Sequence, residues 1–287
     1  MIQNPAHARL VLIGGGFVPV NITAEILQLA QGQDSRIVLC DWGSQIPGTG
    51  RTTAENLFRS RHGCRSICVL GEGSVGRPED ELRAIANAPS SMAILDECDV
   101  FFFTGGDQRI LLAALRNTKF ERRLTELWRL GKIVIAGTSA GLQIQSELAL
   151  TGDFSQPEPE AITVDETRCT RIARQNVGVT PGFGLLQNVI LDQHFVKRQR
   201  HNRLISVVLD YPSHLGIGVD EGTALIFNGR SGEYVSPRVV GESCVFYVNA
   251  RQADMQIEPQ GQLRLVENLN CGLVWEGAAW PFPILLA

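Results

Sequence analysis

Residues 132–141 read Lys-Ile-Val-Ile-Ala-Gly-Thr-Ser-Ala-Gly, and the interpretation of the whole chain starts from this stretch. Its first half is a short apolar run rich in β-branched residues, which is typical of a buried strand. The run then breaks at a G-x-S-x-G pattern centred on Ser139, and helix-forming residues follow from Leu142 to Leu150. Strand, sharp turn and helix are the setting of a nucleophile elbow, in which the helix N-terminus directs amide groups toward developing negative charge. The alternative is an ordinary glycine-rich turn, because the bare pattern is common.

The overall composition indicates a soluble globular protein. The chain has 287 residues, 44% of them hydrophobic, and a net charge of −4 without a basic stripe, so we expect no nucleic-acid partner. Its apolar runs are shorter than the roughly 18 residues of a membrane span. Residues 1–9 also lack the apolar core of a signal peptide, so we expect no membrane association and a cytoplasmic protein. The seven cysteines have no metal-ligand spacing, which predicts free thiols and no metal site.

Short apolar strands alternate with helical segments through the first half of the chain. The predicted strands are residues 9–13, 36–40, 66–70, 99–103 and 133–136, and the predicted helices are residues 22–30, 51–60, 78–86, 109–117, 120–130 and 142–150. This alternation favours a parallel sheet with helices on both faces. Because ligands bind beyond the carboxyl ends of parallel strands, we expect Gly14–Gly16, Gly105–Gln108 and Ser139 to converge on one site.

The glycine run Gly14–Gly16 follows the first predicted strand directly. A glycine-rich loop in this place can hold a phosphate, but this one lacks both G-x-G-x-x-G spacing and a Lys-Ser/Thr pair. We therefore interpret it as a point where the backbone must come close to another group at the carboxyl edge of the sheet. Asn21 or Thr23 is predicted to cap the helix that follows.

The second half of the chain has a different pattern. Residues 154–160 are polar and rich in proline, which predicts a surface loop within an irregular segment from residue 152 to residue 176. Residues 216–226 predict two strands that meet at a turn near Glu221. Residues 239–286 alternate apolar and polar side chains, which predicts antiparallel strands at the edge of the sheet. Since no clean boundary interrupts the chain, we predict a single domain over 1–287 with a β extension over about 239–287.

A serine nucleophile needs a histidine to take its proton and a carboxylate to orient that histidine. Among five histidines, His194 is the best placed, because it ends an apolar run and is flanked by polar residues and Phe195. A structural histidine with satisfied hydrogen bonds is the alternative interpretation. The carboxylate can be Asp192, Asp220 or Glu221. Glu221 stands between two apolar runs, where a carboxylate without a partner would be costly.

Four motifs, in order along the chain, carry a resemblance to a known family. They are Phe103-Thr104-Gly105-Gly106-Asp107-Gln108, Gly137-Thr138-Ser139-Ala140-Gly141, Asp192-Gln193-His194-Phe195 with Arg198, Arg200 and Arg203 after it, and Gly216-Ile217-Gly218-Val219-Asp220-Glu221. Together they resemble the cyanophycinase family of serine peptidases, which also includes the aspartyl dipeptidases of bacteria. The order serine, histidine, glutamate also differs from the serine, acid, histidine order of the α/β-hydrolases.

The resemblance implies a role for each matching residue. Ser139 would be the nucleophile, His194 the general base and Glu221 the acid that orients it. The backbone amides of Gly106 and Ala140 would form the oxyanion hole. The positions implied to bind substrate are Gln108, Asp192, Gln193, Arg198, Arg200 and Arg203.

The resemblance also implies a fold, an assembly and a substrate. The fold would be an α/β three-layer sandwich with a mainly parallel central sheet, of the flavodoxin-like or class I glutamine amidotransferase-like type, with extra antiparallel C-terminal strands. The assembly would be a homodimer. The substrate would be cyanophycin, a polymer with an aspartate backbone and arginine side chains, cleaved to β-aspartyl-arginine dipeptides without a metal or organic cofactor.

The residues themselves support part of this assignment. Arg198, Arg200 and Arg203 add positive charge just beyond His194, and arginine forks bind carboxylates by two-point contacts. Such a run can also be a solvated basic surface. Two other functions stay open: a dipeptidase or isoaspartyl-peptide hydrolase acting on short peptides, and a non-catalytic protein that binds acidic peptides or metabolites. The presence of a serine, a histidine and a glutamate in the implied positions counts against the non-catalytic function.

Overall fold

The computed structural model of the chain describes residues 7–155, 169, 171–259 and 261–287. The strands are β1 (Ala8–Ile13), β2 (Ile37–Cys40), β3 (Ile67–Val69), β4 (Val100–Phe103), β5 (Val134–Thr138), β6 (Ser146–Phe154), β7 (Val177–Pro181), β8 (Leu186–Asp192), β9 (Leu215–Val219), β10 (Thr223–Gly229), β11 (Tyr234–Val235), β12 (Arg238–Gly241), β13 (Cys244–Asn249), β14 (Asp254–Ile257), β15 (Leu263–Glu267), β16 (Asn270–Trp275) and β17 (Ile284–Leu286). The helices are α1 (Val20–Gln28), α2 (Thr49–Thr53), α3 (Ser60–His62), α4 (Glu79–Asn87), α5 (Pro89–Asp96), α6 (Gln108–Leu115), α7 (Lys119–Arg129), α8 (Ala140–Gln143) and α9 (His201–Asp210). A 3₁₀ turn (Gly32–Asp34) follows α1, and a π-helical segment (Ala54–Arg59) joins α2 to α3.

The predicted parallel sheet is confirmed. Within the described part of the chain its strand order is β12-β10-β1-β5-β4-β2-β3. The strands β1, β5, β4, β2 and β3 run parallel to one another. At the β1 edge, β10 pairs antiparallel with β1, and β12 pairs antiparallel with β10. The carboxyl ends of β1, β4 and β5 therefore lie side by side, which brings together the three loops that the sequence predicts to meet.

Alternating residues along β1 explain why this sheet is covered on both faces. Leu10 and Leu12 pack into one core with side chains of α6 and α7, whereas Val11 and Ile13 pack into another with side chains of α1. Successive side chains of a strand point to opposite faces, so a strand that is apolar throughout must be buried on both sides. This arrangement confirms the three-layer sandwich.

A second sheet, which we did not predict as a separate sheet, lies on the first of these two cores. Across the residues that the structure describes, its order is β11-β17-β8-β9-β13-β16, with β6 beside β8 and β7 beside β6. The parallel neighbours β8 and β9 place Asp192 opposite Gly218. Residues Leu191 and Ile217 of this sheet contribute to the same core as Leu10 and Leu12. The polar residues that follow β8 and β9 therefore reach the region beyond the carboxyl ends of β1 and β5.

Two local predictions are wrong. The helix after Ser139 ends at Gln143, and residues 146–150, which we predict as helical, belong instead to β6. The reason is tertiary: β6 pairs with β7 and β8, and these pairs outweigh the helix preference of leucine, alanine and glutamate. Helix α1 begins at Val20 after Pro19, so neither Asn21 nor Thr23 caps it.

The remaining predictions concern the chain after β6. The proposed loop at residues 154–160 lies outside the described residues from residue 156 onward. The two strands on either side of Glu221 are confirmed as β9 and β10. The antiparallel C-terminal strands are also confirmed. Among the described residues, β12 extends the edge of the central sheet, β13, β16 and β17 belong to the second sheet, and β14 and β15 pair with each other. Across the described ranges, every helix is too short or too polar to cross a lipid bilayer.

Candidate active site

Ser139 occupies a strained turn between β5 and α8. Its backbone angles are φ 55° and ψ −116°, a conformation that a side chain rarely adopts. A methyl group on Gly137 would lie 2.3 Å from the Gly141 carbonyl oxygen, and one on Gly141 would lie 2.5 Å from the Phe103 carbonyl oxygen. The Ser139 backbone N–H donates to the Ile13 carbonyl at 3.0 Å and so ties the turn to β1. The G-x-S-x-G spacing is thus required by backbone contacts on both sides of the serine.

The structure brings Ser139, His194 and Glu221 into a hydrogen-bonded chain. The Ser139 Oγ lies 2.9 Å from His194 Nε2, and His194 Nδ1 lies 2.5 Å from Glu221 Oε1. With the proton on Nδ1 donated to the carboxylate, Nε2 is left to accept the serine hydroxyl proton. Of the three carboxylates that the sequence leaves open, Glu221 is the one in contact with the imidazole. These distances match the nucleophile, base and orienting acid that a triad requires.

The glycine run after β1 makes room for this chain of contacts. A methyl group on Gly15 would lie 2.3 Å from His194 Cε1 and 2.5 Å from Nε2, and one on Gly16 would lie 2.6 Å from Glu221 Oε2. On Gly14 it would lie 2.1 Å from the Asp220 carbonyl oxygen. The His194 backbone N–H also donates to the Gly14 carbonyl at 2.7 Å. Close backbone approach, rather than phosphate binding, is therefore what these glycines permit.

The surroundings of His194 keep its imidazole neutral at pH 7. Burial lowers the pKa of the ring, the hydrogen bond with Glu221 opposes that effect, and the positive charges of Arg198 and Arg200 lower the pKa further. The net direction is downward from the ordinary value of about 6.5. A neutral ring is the form that can accept a proton from Ser139.

Of the two residues whose amides the resemblance assigns to an oxyanion hole, Ala140 directly follows Ser139, and Gly106 follows a glycine that borders it. Ala140 is the first residue of α8, and the first N–H groups of a helix have no partner within it. On the opposite side, a methyl group on Gly105 would lie 3.2 Å from Ser139 Cβ, so the loop of Gly105 and Gly106 borders the serine. Gly106 has φ +124° and its backbone passes within contact of Gly43, which excludes a larger residue there. Two N–H groups on either side of a nucleophile can stabilise a tetrahedral oxyanion.

Asp192, which we predict to bind substrate, is fully buried and does not line the cleft. Arg203 holds its carboxylate by two contacts, Nε to Oδ2 at 2.7 Å and Nη2 to Oδ1. Arg200 Nη1 donates to the Gln193 carbonyl at 2.8 Å, and the Gln193 N–H donates to Asp192 Oδ1 at 2.7 Å. Breaking such a buried pair on one side typically costs about 3–5 kcal/mol. The network therefore holds the backbone just before His194.

Asp220, the other open carboxylate, holds the backbone just after His194. Its Oδ1 accepts from the N–H groups of Val196 and Lys197 at 3.0 and 2.9 Å, and its Oδ2 accepts from Ser243 Oγ at 2.7 Å. His194 itself has φ 49° and is only 7% exposed. Its unusual backbone conformation is thus fixed from both sides by buried carboxylates.

Ser139 opens into a cleft of about 1050 Å³. Gln193, Arg198, Arg200 and Arg203 line it, but Arg200 and Arg203 are each only 2% exposed. Gln193 Oε1 lies 3.3 Å from Ser139 Oγ. Arg198 is half-buried at the wall of the cleft.

Gln108 and its neighbours form the far wall of the cleft. Gln108 Nε2 donates to the carbonyl oxygens of Leu150 and Thr151 at 2.9 and 3.0 Å, so its amide fastens β6 to α6. Sequence reasoning missed Arg109, which joins Asp107 at 2.7 Å and Asp153 at 3.2 Å across this wall. Its position directly after the Thr-Gly-Gly-Asp-Gln motif was the available signal. Over the described ranges, His, Cys, Asp and Glu side chains form no group of three that could hold a metal ion.

Comparison with known proteins identifies the family. The model of peptidase family S51 matches residues 75–235. A cyanophycinase of Geminocystis herdmanii is 29% identical over 249 residues, which are 85% of this chain and 82% of that protein. A cyanophycinase of Thermosynechococcus vestitus is 31% identical over 254 residues, 87% of this chain and 70% of that one.

Solved structures agree on the fold. A peptidase from an acI-B1 Actinobacterium superposes with a TM-score of 0.65 at 20% identity, covering 96% of this chain and 98% of that one. A putative peptidase E of Listeria monocytogenes gives a TM-score of 0.54 at 13% identity, over 83% of this chain and 100% of that one. The resemblance that the four sequence motifs carry is confirmed by the family match. The chain therefore belongs to peptidase family S51 and is a peptidase.

Proposed function

We propose that this peptidase is serine-type, with Ser139 as nucleophile, His194 as general base and Glu221 as the carboxylate that orients the base. The observation that carries the proposal is the pair of hydrogen bonds at 2.9 Å between Ser139 Oγ and His194 Nε2 and at 2.5 Å between His194 Nδ1 and Glu221 Oε1. The lowered pKa of His194 supports the same roles, because the base must be neutral before it takes a proton.

In the proposed reaction, Ser139 Oγ attacks the substrate carbonyl carbon while its proton passes to His194 Nε2. The oxyanion of the tetrahedral intermediate accepts hydrogen bonds from the amides of Gly106 and Ala140. The intermediate collapses as His194 gives its proton to the leaving amine, and an ester to Ser139 remains. A water molecule then attacks the ester, His194 takes its proton, and Ser139 is released with its own proton restored.

We propose cyanophycin or related β-aspartyl peptides as the substrate, and a homodimer as the assembly. The names of the curated relatives support this substrate. The cleft of about 1050 Å³ has room for a peptide substrate. Arg198 at the cleft wall is suited to a substrate carboxylate, whereas Asp192 and Arg203 act on the substrate only through the backbone that they hold.

A substrate panel tests this function. The protein is incubated with cyanophycin, with a short β-aspartyl-arginine peptide and with the α-linked aspartyl-arginine isomer, and released products are measured by mass spectrometry. We expect β-aspartyl-arginine from cyanophycin and no cleavage of the α-linked control. Release from the short peptide alone would favour the dipeptidase function, and no release from any of them would contradict the proposed substrate class.

Removing the charge of Arg198 should move the pH dependence of this activity. The Arg198 guanidinium lowers the pKa of His194, so Arg198→Gln lets that pKa rise toward its ordinary value. Because His194 must be neutral to act, kcat/KM falls as the pH falls through its pKa, and this fall is the acidic limb of the pH profile. A higher pKa of His194 moves the acidic limb to higher pH. Profiles of kcat/KM against pH for the wild type and the variant measure the shift.

Arg109→Gln is the matched control for Arg198→Gln. Arg109 lines the same cleft but is not among the charges that act on His194. Its loss should leave the acidic limb in place. An equal shift in both variants, or none in Arg198→Gln, would contradict the assignment of the limb to His194.

A further inference from the structure

The short helix after Ser139 carries a fully buried glutamine whose side chain crosses to another strand. Gln143 is the last residue of α8, and its Nε2 donates to the carbonyl oxygen of Leu191 on β8. Its backbone N–H donates to the Ser139 carbonyl at 3.1 Å. Leu191 comes three residues before His194 in the chain. One side chain therefore links the turn that carries the Ser139 hydroxyl to the strand that leads into His194.

Fold stability alone does not account for this amide. The Oε1 atom of Gln143 is buried and has no hydrogen-bond partner among the described residues. A buried polar atom left unsatisfied costs at least as much free energy as one hydrogen bond contributes net. A methionine would fill a similar volume without that cost. The amide supplies one thing that methionine does not, which is a fixed N–H···O contact between α8 and β8.

We propose that Gln143 is a positioning residue, whose hydrogen bond to Leu191 sets the separation of Ser139 Oγ and His194 Nε2. The inference rests on the proposed roles of Ser139 and His194. Both residues have positive φ, at 55° and 49°, so neither turn is a conformation that the local chain prefers. The distance between their side chains depends on how the two turns are held relative to each other. The bond from Gln143 is a direct side-chain link between those two segments.

Gln145 offers a matched control two residues further on. It is also fully buried, it also has an Oε1 without a partner among the described residues, and its Nε2 also donates to a backbone carbonyl. That carbonyl belongs to Gly141, four residues earlier in the chain, at 2.8 Å. Gln145 thus shares the burial and the polar atoms of Gln143, but its side chain makes no link to β8; its contact with Leu186 is through the backbone carbonyl, which a substitution keeps.

The test compares Gln143→Met, Gln143→Glu and Gln145→Met in the full-length chain. The readouts are kcat and KM on a β-aspartyl peptide and the rate at which diisopropyl fluorophosphate labels Ser139, each as a function of pH. We expect Gln143→Met to lower kcat and the labelling rate by about 10–100-fold with KM little changed, because misplacement by about 1 Å has effects of this size. Its acidic limb should also move to higher pH, because a loosened imidazole is better hydrated and its pKa rises.

The carboxyl group introduced by Gln143→Glu can donate to Leu191 only while it is protonated. The ratio of the variant's kcat to the wild-type kcat, taken at the same pH, should therefore be high near the acidic limb and low at alkaline pH. This pH-dependent rescue decides the question even if Gln143→Met does not fold. Gln145→Met should keep the wild-type labelling rate and acidic limb, even where its melting temperature changes.

The outcomes separate this inference from the proposed function. No labelling of Ser139 in the wild type would overturn the serine mechanism and this inference with it. Labelling that is normal in the wild type and unchanged by both Gln143 variants would overturn the positioning role alone. Equal losses of kcat and labelling rate in Gln143→Met and Gln145→Met, with no shift of the acidic limb, would also overturn the positioning role alone. Such losses would come from disturbed packing rather than from the lost hydrogen bond to Leu191. Failure on peptide substrates alone would overturn only the proposed substrate class, since the labelling reagent needs no peptide recognition.

Discussion

Replacing Ser139 by alanine should lower turnover by at least about 10³-fold, because the remaining groups of a triad and its oxyanion hole support only residual catalysis. The hydroxyl at 2.9 Å from His194 Nε2 is the group in the proposed site positioned to form the acyl-enzyme. Initial rates on the β-aspartyl peptide measure the loss. Labelling by diisopropyl fluorophosphate should disappear in the same variant, since the reagent bonds to that oxygen.

Ser44→Ala is the control for Ser139→Ala. Ser44 lines the same cleft, but its hydroxyl contacts Ile46 and Thr49 rather than the imidazole. Its loss should change turnover by no more than about tenfold, the effect of one ordinary hydrogen bond. Turnover by Ser139→Ala close to that of the wild type would rule out this serine as the nucleophile, whatever the substrate.

The second large effect is expected from a methyl group at Gly15, which does not itself line the cleft. Gly15→Ala puts a Cβ within 2.3 Å of His194 Cε1, closer than two carbon atoms can approach without a bond. Gly15 also has φ +104°, a backbone conformation that alanine disfavours. The imidazole must move to relieve the contact, and its hydrogen bonds to Ser139 and Glu221 must move with it. We expect a loss of at least about 10²-fold in kcat, since misplacement by about 1 Å has effects of that size.

Gly32→Ala separates the contact with His194 from backbone strain. Gly32 also has a positive φ, +66°, but a methyl group there meets nothing within 4 Å. Gly32→Ala should lose about 1 kcal/mol of stability from the strained backbone alone. Gly15→Ala should lose more, because its methyl group also meets the imidazole. Thermal unfolding measures that loss and peptide turnover measures activity. If Gly15→Ala were as active as Gly32→Ala, the glycine run would have no role in seating the imidazole.

The sequence predicts the central sheet well because its signals are local. Strands that are mostly apolar, such as β1, β4 and β5, contain a continuous apolar run that is recognisable without any partner. Glycine and proline mark the breaks between elements, and the alternation of strands with helices fixes the parallel direction. The convergence of three loops at one edge then follows from strand direction alone.

Residues 146–154 form a strand that the local sequence does not predict. They contain leucine, alanine and glutamate, which favour a helix, yet they form β6 because β7 and β8 offer hydrogen-bonding edges on both sides. Those neighbours come later in the chain. A prediction from a local window cannot include them.

The amino-acid sequence by itself determined the α/β class, the parallel direction of the strands in the first half of the chain and the strand–turn–helix around Ser139. It also contains the motifs that identify the family. Only the tertiary structure decided which of three neighbouring carboxylates contacts His194, and that Asp192 and Asp220 instead hold the backbone on either side of it. The physical reason is that composition and periodicity act within one segment. The direction of a polar side chain at a strand end depends on the segments that pack around it. Here those segments are the glycine run after β1 and the strands of the second sheet, which local sequence patterns do not predict.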